Sequence, residues 1–324
     1  MNINGGYDIM LKKIVKAILK YPIILVNNIY THNYYKNSST NKDQDIEHMI
    51  GKDDRILVFS PHVDDETIGL GATLLKHKRE ENPMALVYLT DGGGSTSNLS
   101  REELVQSRRK EGEKVKDSYG FHKVYFLDEI DGELDSSREK LIDNIFKILS
   151  EEKPTIIYTP FLLDGHRDHV ETTRAVMKGL NRWNKNFNRI YMYEVNCPIP
   201  PELVNSISIM DENLYIQKGN IYNIFDSQWA MDFSAFRLLD RKKRFIINRG
   251  YGAEIFVRVD LNTLIEIEKV LRKSGFKPEQ FRQLSSRYNL LSAFKTNKAL
   301  KEDYITSIKN ILDRELQKQK NTIG

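Results

Sequence analysis

The sequence predicts an α/β protein: a doubly wound, mostly parallel sheet with helices on both faces and helical extensions at its two ends. Three observations lead there. Short apolar runs rich in β-branched and aromatic residues recur through the middle of the chain, stretches of helical periodicity separate them, and two segments rich in His and Asp each follow one of the runs directly. Runs without in-out alternation are expected of strands covered on both faces. Strand alternating with helix at this spacing implies crossover connections and hence a Rossmann-like layering.

Taken in order, residues 1–54 form an extension ahead of the sheet. Within residues 8–20, Met10, Leu11, Ile14, Val15 and Ile18 fall on one side of a helix, with Lys12, Lys13, Lys16 and Lys20 gathered on another. That pattern is a basic amphipathic helix. Pro22 is expected to interrupt it, and the apolar run at 23–26 is far shorter than the roughly 20 residues that span a bilayer. Lysines within the apolar stretch and the lack of a small-residue cleavage pattern argue against a secretory signal. Two readings of the helix stand: it packs on the main domain, or it rests reversibly on a membrane surface. Residues 36–54, dominated by Asn, Ser, Lys and Asp, read as a polar linker.

The central domain is expected at 55–259. Strands are predicted at 56–59, 85–89, 124–127, 156–159 and 190–195, and helices at 71–81, 102–119, 137–152 and 169–180. Residues 260–324 read as a helical extension, with helices at 261–274 and 302–318 that shape either the substrate crevice or an oligomer contact. The aromatic residues Tyr222, Phe225, Trp229, Phe233 and Phe236 recur every three to four positions, as in a core-facing helix stripe; the alternative is a stacking wall for a sugar. The glycine-rich segment 91–97 lacks the Gly-Lys-Ser/Thr of a phosphate loop and reads as a lid or a solvated turn.

Composition narrows the class. A chain of 324 residues with 40% hydrophobic and 29% charged residues is that of an ordinary globular protein. A formal charge of +4 gives no basis for nucleic-acid binding, and the single cysteine, Cys197, excludes a disulfide framework and a cysteine metal cluster. One buried cysteine fits a reducing, cytoplasmic setting.

The chemistry concentrates in the two segments after predicted strands. One runs Ser60, Pro61, His62, Val63, Asp64, Asp65, Glu66; the other runs Gly165, His166, Arg167, Asp168, His169, Val170. His62 and Asp65 from one loop with His169 from the other supply the three protein ligands of a catalytic zinc, leaving a position for water. Asp64 and His166 then stand beside that water as a free carboxylate and a free imidazole. One can take a proton and the other can stabilise an oxyanion, which is what amide hydrolysis needs. In a doubly wound sheet both loops open into one crevice at the carboxyl ends of the strands.

These residues, with Thr90, Asp91 and Gly92, Arg108 and Glu111, Asp131 to Leu134, Ser227 and Gln228, and Ala253 to Phe256, form an ordered series. Over residues 55–259 it resembles the PIG-L/LmbE-like zinc-dependent de-N-acetylases, which act on N-acetylglucosamine-type sugars. The resemblance implies zinc, or another divalent metal such as Fe2+, on His62, Asp65 and His169. It implies Asp64 as general base, His166 as oxyanion donor and Asp168 as the partner that orients His166. Arg108 and Asp131 match positions that hold sugar hydroxyls. The chain departs from the family's common prolines at Val63 and Arg167, and Arg167 is offered as a contact to a distinctive substrate. Substrates in range are an N-acetylated thiol or aminoglycoside precursor, a chitooligosaccharide and a lipid-linked glucosamine. The alternatives are a zinc hydrolase acting on another bond and a carbohydrate-binding protein with a vestigial site.

Overall fold

The computed structural model describes the backbone of residues 4–38 and 46–323, and side chains from 20 to 38 and 46 to 317. Helix α1 (Asn4–Asn37) precedes strand β1 (Ile56–Ser60), after which α2 (Asp65–Arg79), β2 (Met84–Thr90), α3 (Arg101–Tyr119), β3 (Lys123–Glu129) and α4 (Glu139–Glu152) alternate. There follow β4 (Ile156–Pro160), α5 (Arg167–Trp183), β5 (Ile190–Tyr193), β6 (Ser206–Met210), α6 (Glu212–Ile221), α7 (Phe233–Lys243), β7 (Gly252–Val259), α8 (Leu261–Lys273) and α9 (Leu290–Ile323).

One seven-stranded sheet has the order β3-β2-β1-β4-β5-β7-β6. The first five strands are parallel, while β7 runs antiparallel to both β5 and β6. All residues of β1, β2 and β4 are buried, as two-sided helix cover demands. Local signals place the helix ends. Ser100 and Glu103 form a reciprocal capping box on α3, which stops at Gly120 in the left-handed conformation with φ 77°.

The five predicted strands are present, and β6 and β7 join them. Neither carries a long apolar run: β6 reads Ser-Ile-Ser-Ile-Met, the period-two pattern of an edge strand. The extensions also differ from expectation. α1 continues through Pro22 instead of ending there. Pro22 lies on the exposed face, while the opposite face seats Asn27, Thr31 and Tyr35 against the protein, and this packing offsets the proline's helix-breaking cost of about 3 kcal/mol. Tyr35, Leu264 and Ile308 belong to the same apolar core as Phe59 and Ile157, so both extensions share the core of the sheet.

Within the linker predicted at 36–54, residues 39–45 lie outside the described residues, and 46–54 pack closely. Glu47 bridges Ile207, and buried His48 enters a polar chain beneath the sheet. Asn82 donates its amide to the carbonyls of Gly51 and Lys52, so its Oδ1 must accept from His77 Nδ1 at 2.8 Å. His77 Nε2 therefore accepts from the Tyr158 hydroxyl at 2.8 Å, and that oxygen in turn accepts from His48 Nε2 at 2.7 Å. His48 Nδ1 is left to accept from the Ser206 hydroxyl at 3.1 Å.

Burial pushes His77 down to about 4 and His48 well below its ordinary value. Both imidazoles fold neutral, so below pH 6.5 the unfolded chain binds more protons and stability falls as pH drops from about 6.5 towards 4. The denaturation midpoint of the wild type is expected to fall more steeply from pH 7 to 5 than that of His77→Gln. Parallel profiles would contradict the assignment.

Candidate metal centre

β1 and β4 are neighbours, but the chain leaves β1 towards β2 on one side and β4 towards β5 on the other. This is the switch point of the sheet, where the loops after two adjacent strands diverge and leave a crevice. The loop after β1 delivers His62, Asp64 and Asp65, and the loop after β4 delivers Asp164, His166 and the start of α5. Residues a hundred positions apart thereby face one another.

His62, Asp65 and His169 each offer a ligand atom within 4.8 Å of the others. Asp65 Oδ2 lies 2.9 Å from His62 Nδ1 and 3.4 Å from His169 Nε2. Tetrahedral bonds of about 2.1 Å would set donor atoms about 3.4 Å apart, so the spacing suits a small divalent ion. His169 is fully buried, and neither ring nitrogen has an aligned hydrogen bond. Burial alone would depress its pKa, yet Asp164, 3.0 Å from Nδ1, and Asp65 on the other side push it up to about 10. Two carboxylates flanking one ring favour positive charge there, which a proton or a metal ion on His169 Nε2 can supply. Asp164 stands where the carboxylate behind a metal-ligating histidine would stand. The sequence reading missed it, although an Asp two residues before His166 at the end of a strand was a usable signal.

Asp64 occupies the turn between β1 and α2 with φ 139°, a conformation that costs a non-glycine residue of order 1–3 kcal/mol. Glu66 supports the turn, its Oε2 accepting from Asp64 N at 3.2 Å and from the Ser60 hydroxyl at 3.3 Å. The strained turn puts Asp64 in the cleft wall with His62 and Asp65. Burial, opposed by Arg108 and reinforced by Asp65 and Glu66, pushes its carboxyl up to about 7.

His166 caps α5 and accepts from the backbone N–H of Asp168 at Nδ1, 3.2 Å away. Its proton therefore sits on Nε2. Burial, followed by the nearby His169 and His62, pushes His166 down to about 4, so it is a neutral N–H donor at neutral pH. The orienting contact comes from the backbone of Asp168 and not, as predicted, from its carboxylate. That carboxylate accepts from Gly132 N at 2.7 Å and Leu134 N at 3.3 Å, and lies 3.3 Å from His62 Nε2. Two backbone donors hold it on the His62 side.

The cleft encloses about 320 Å³ and takes in Arg108, Asp131 and His166 together with Asp64. Arg108 is buried, 3.5 Å from Asp64 and 3.4 Å from Glu111, which itself accepts from both the backbone and the hydroxyl of Ser227. Glu111 is thus no exposed helix residue. Asp131 lies 3.2 Å from His62 Nε2 and receives Gly94 N at 3.0 Å, so the glycine-rich segment is pinned to the cleft wall. Arg167 is exposed and does not line the cleft. Asn196, Gln283 and Ser285 do, which gives the C-terminal segment a share in the wall. Tyr222, Phe225 and Phe236 are buried and Tyr222 stacks on Phe233 at 4.8 Å, as a core cluster does, while Trp229 is exposed.

The paired loops thus form a polar crevice at the switch point of a mostly parallel α/β sheet. Residues 57–180 match the PIG-L family, described as GlcNAc-PI de-N-acetylase. Diacetylchitobiose deacetylase of Thermococcus kodakarensis is 32% identical over 120 residues, which are 36% of this chain and 45% of that protein. The match therefore spans less than half of that curated relative. The structure of N,N'-diacetylchitobiose deacetylase from Pyrococcus horikoshii, determined with an inhibitor, aligns at TM-score 0.53 and 26% identity, over 63% of this chain and 84% of that one. A conserved protein of Thermus thermophilus shares the fold at TM-score 0.53 and 22% identity, over 63% of this chain and 94% of its own.

Proposed function

We propose that this chain is a metal-dependent hydrolase that removes the acetyl group of an N-acetylglucosamine-type sugar, releasing acetate and a free amine. The observation that carries the reading is the company Asp64 keeps. A carboxylate forced into the cleft by a strained turn shares that cleft with a candidate three-ligand cradle and a neutral imidazole donor. The diacetylchitobiose deacetylases among its relatives support the substrate class.

His62, Asp65 and His169 would hold a divalent ion; this borderline nitrogen and oxygen set suits zinc, and ferrous iron as well. When bound, the ion supplies Lewis acidity and makes the attacking water easier to deprotonate. Asp64 accepts the proton as the water oxygen attacks the acetamide carbonyl. His166 Nε2–H donates to the oxygen that gains charge, and Arg108 keeps the Asp64 carboxylate oriented. Protonated Asp64 then returns its proton to the nitrogen as the C–N bond breaks. Arg108 and Asp131, both in the cleft wall, would hold sugar hydroxyls.

Acetate release from N,N'-diacetylchitobiose and N-acetylglucosamine by zinc-loaded protein tests the reading. Zinc-loaded protein that frees no acetate from either would favour another bond or a binding role. His166→Ala is expected to lower turnover about a hundredfold or more with metal retained, since one oxyanion donor is worth about 2.7–4 kcal/mol. Turnover within a few-fold of wild type would remove His166 from this role.

A second reading concerns α1, which we propose meets anionic membrane surfaces. The side chains of residues 8–19 lie outside the described residues, but the next turns expose Tyr21, Ile23, Leu25, Val26 and Ile29. No acidic residue occurs between positions 9 and 42, where Lys12, Lys13, Lys16, Lys20 and Lys36 stand. An exposed apolar face with purely basic charge suits an interfacial helix, and among the described residues no helix is long and apolar enough to cross a bilayer. The full chain should sediment with phosphatidylserine-containing vesicles in low salt, less in high salt, and not with Leu25→Glu/Ile29→Glu. Equal sedimentation of the variant would defeat the proposal.

A further inference from the structure

We infer that Glu254 and Lys218 are positioning residues that aim Asp64 and Asp65 from outside the cleft, by clamping a break in α2. The inference rests on the function proposed above. α2 starts at Asp65, directly after Asp64, and leaves helical geometry at Leu70, where φ is −146° and ψ 20°. The break divides the helix into a short first segment bearing the metal ligand and a longer second one.

A broken helix exposes the amides that open its second part and the carbonyls that close its first. Here two of those amides and one of those carbonyls find charged, buried partners. Glu254 on β7 accepts from Ala72 N and Thr73 N at 2.8 Å each and from the Thr73 hydroxyl at 2.6 Å. Lys218 on α6 donates to Ile68 O at 2.9 Å. The carboxylate thus caps a helix amino end and the ammonium a carboxyl end, each on the favourable side of the local dipole.

Lys218 and Glu254 also meet at 2.8 Å, and Asp240 joins Lys218 at 2.7 Å. All three side chains are buried, with Glu254 at 0% exposure. Neither Glu254 nor Lys218 lines the cleft.

The surroundings leave the break little freedom. A Cβ on Gly69 would stand 2.2 Å from the Tyr193 ring, and one on Gly71 would stand 2.6 Å from the Tyr119 hydroxyl. Gly69 and Gly71 let neighbouring side chains close on the helix at the point where it turns, and Glu254 and Lys218 satisfy the backbone groups released there. What the clamp fixes is the direction of the segment that carries Asp65 and, through the strained turn, Asp64. One strand and one helix from the far side of the sheet, β7 and α6, thereby set the geometry of its switch point.

Zinc titration of metal-stripped full-length protein, in competition with a chromophoric chelator, tests the clamp. Glu254→Gln keeps an acceptor but loses the charge, and its zinc affinity should fall about 10- to 100-fold, as when a partner behind a ligand is lost. Asp54→Asn, which weakens the Asp54–Arg189 pair away from the cleft, supplies the control. Unchanged zinc affinity in Asp54→Asn beside a loss in Glu254→Gln supports positioning; equal affinities in Glu254→Gln and wild type overturn it. Thr73→Val removes a single clamp bond and should shift affinity the same way by a few-fold, which keeps the test open if Glu254→Gln does not fold. Wild type that binds no zinc would instead overturn the proposed function.

Discussion

Asp64→Asn is expected to keep its metal and lose turnover by about 10²- to 10⁴-fold, the usual contribution of a positioned base. The substitution is chosen for its backbone as much as for its charge. Asp64 sits at φ 139°, and asparagine matches aspartate in size and shape, so the substitution disturbs the turn that precedes Asp65 least. Shape survives in large part, while the charge that faces Arg108 at 3.5 Å and the ability to accept a proton are lost. Metal content and acetate release measured on the same preparation separate the outcomes. Loss of metal would mean that Asp64 is a ligand, and activity within a few-fold of wild type would place the base elsewhere.

Lys218→Met should cost about 3–5 kcal/mol of folding stability, because removing one partner strands the others' charge in the interior. Asp240 and Glu254 both contact the ammonium, and neither can reach water where it stands. Burial already raises the pKa of Asp240, with Lys218 and Lys243 opposing, and losing Lys218 raises it further. A carboxyl whose folded pKa exceeds its unfolded value binds more protons when folded, so its penalty shrinks as pH falls through that folded value. The stability gap between Lys218→Met and wild type is therefore expected to narrow from pH 8 to pH 5. A gap that is absent, or that widens on acidification, would contradict the buried charge cluster.

Much of the sheet was legible because its central strands are covered on both faces and need continuous apolar runs. Residues 56–59 and 156–159 are such runs, and the His and Asp segments after them pointed to one crevice at the carboxyl ends of the strands. The far edge was not legible, since β6 alternates Ser and Ile and β7 carries Glu254, the reverse of an apolar run. Pro22 misled because helix propensity is local while the packing of Asn27, Thr31 and Tyr35 is not. The same holds for residues 46–54, whose polarity suggested a linker. His48 is polar because it belongs to a hydrogen-bonded chain with Tyr158 and His77, from partners 110 and 29 residues away in sequence.

The site divides similarly. His62, Asp64, Asp65, His166 and His169 were readable from chemistry and spacing, and the fold brings all five together. The residues that support them were harder to see. Asp164, Glu66 and Glu254 act through neighbours that the fold supplies, and for Glu66 and Glu254 nothing in the local sequence distinguishes them from surface carboxylates. Asp168 was assigned to His166 by its carboxylate, whereas its backbone N–H makes that contact. Arg167, offered for a departure from the family pattern, is exposed and does not line the cleft.

The central claim is one catalytic divalent ion on His62, Asp65 and His169. Its most direct test is acetate release from N,N'-diacetylchitobiose as zinc is titrated into metal-stripped protein, with His169→Ala alongside. Activity should rise to a plateau at about one ion per chain, as expected for a single three-ligand catalytic site, and His169→Ala should stay inactive over the same range. Acetate release from metal-stripped protein at the wild-type rate, or full activity in His169→Ala, would contradict the account.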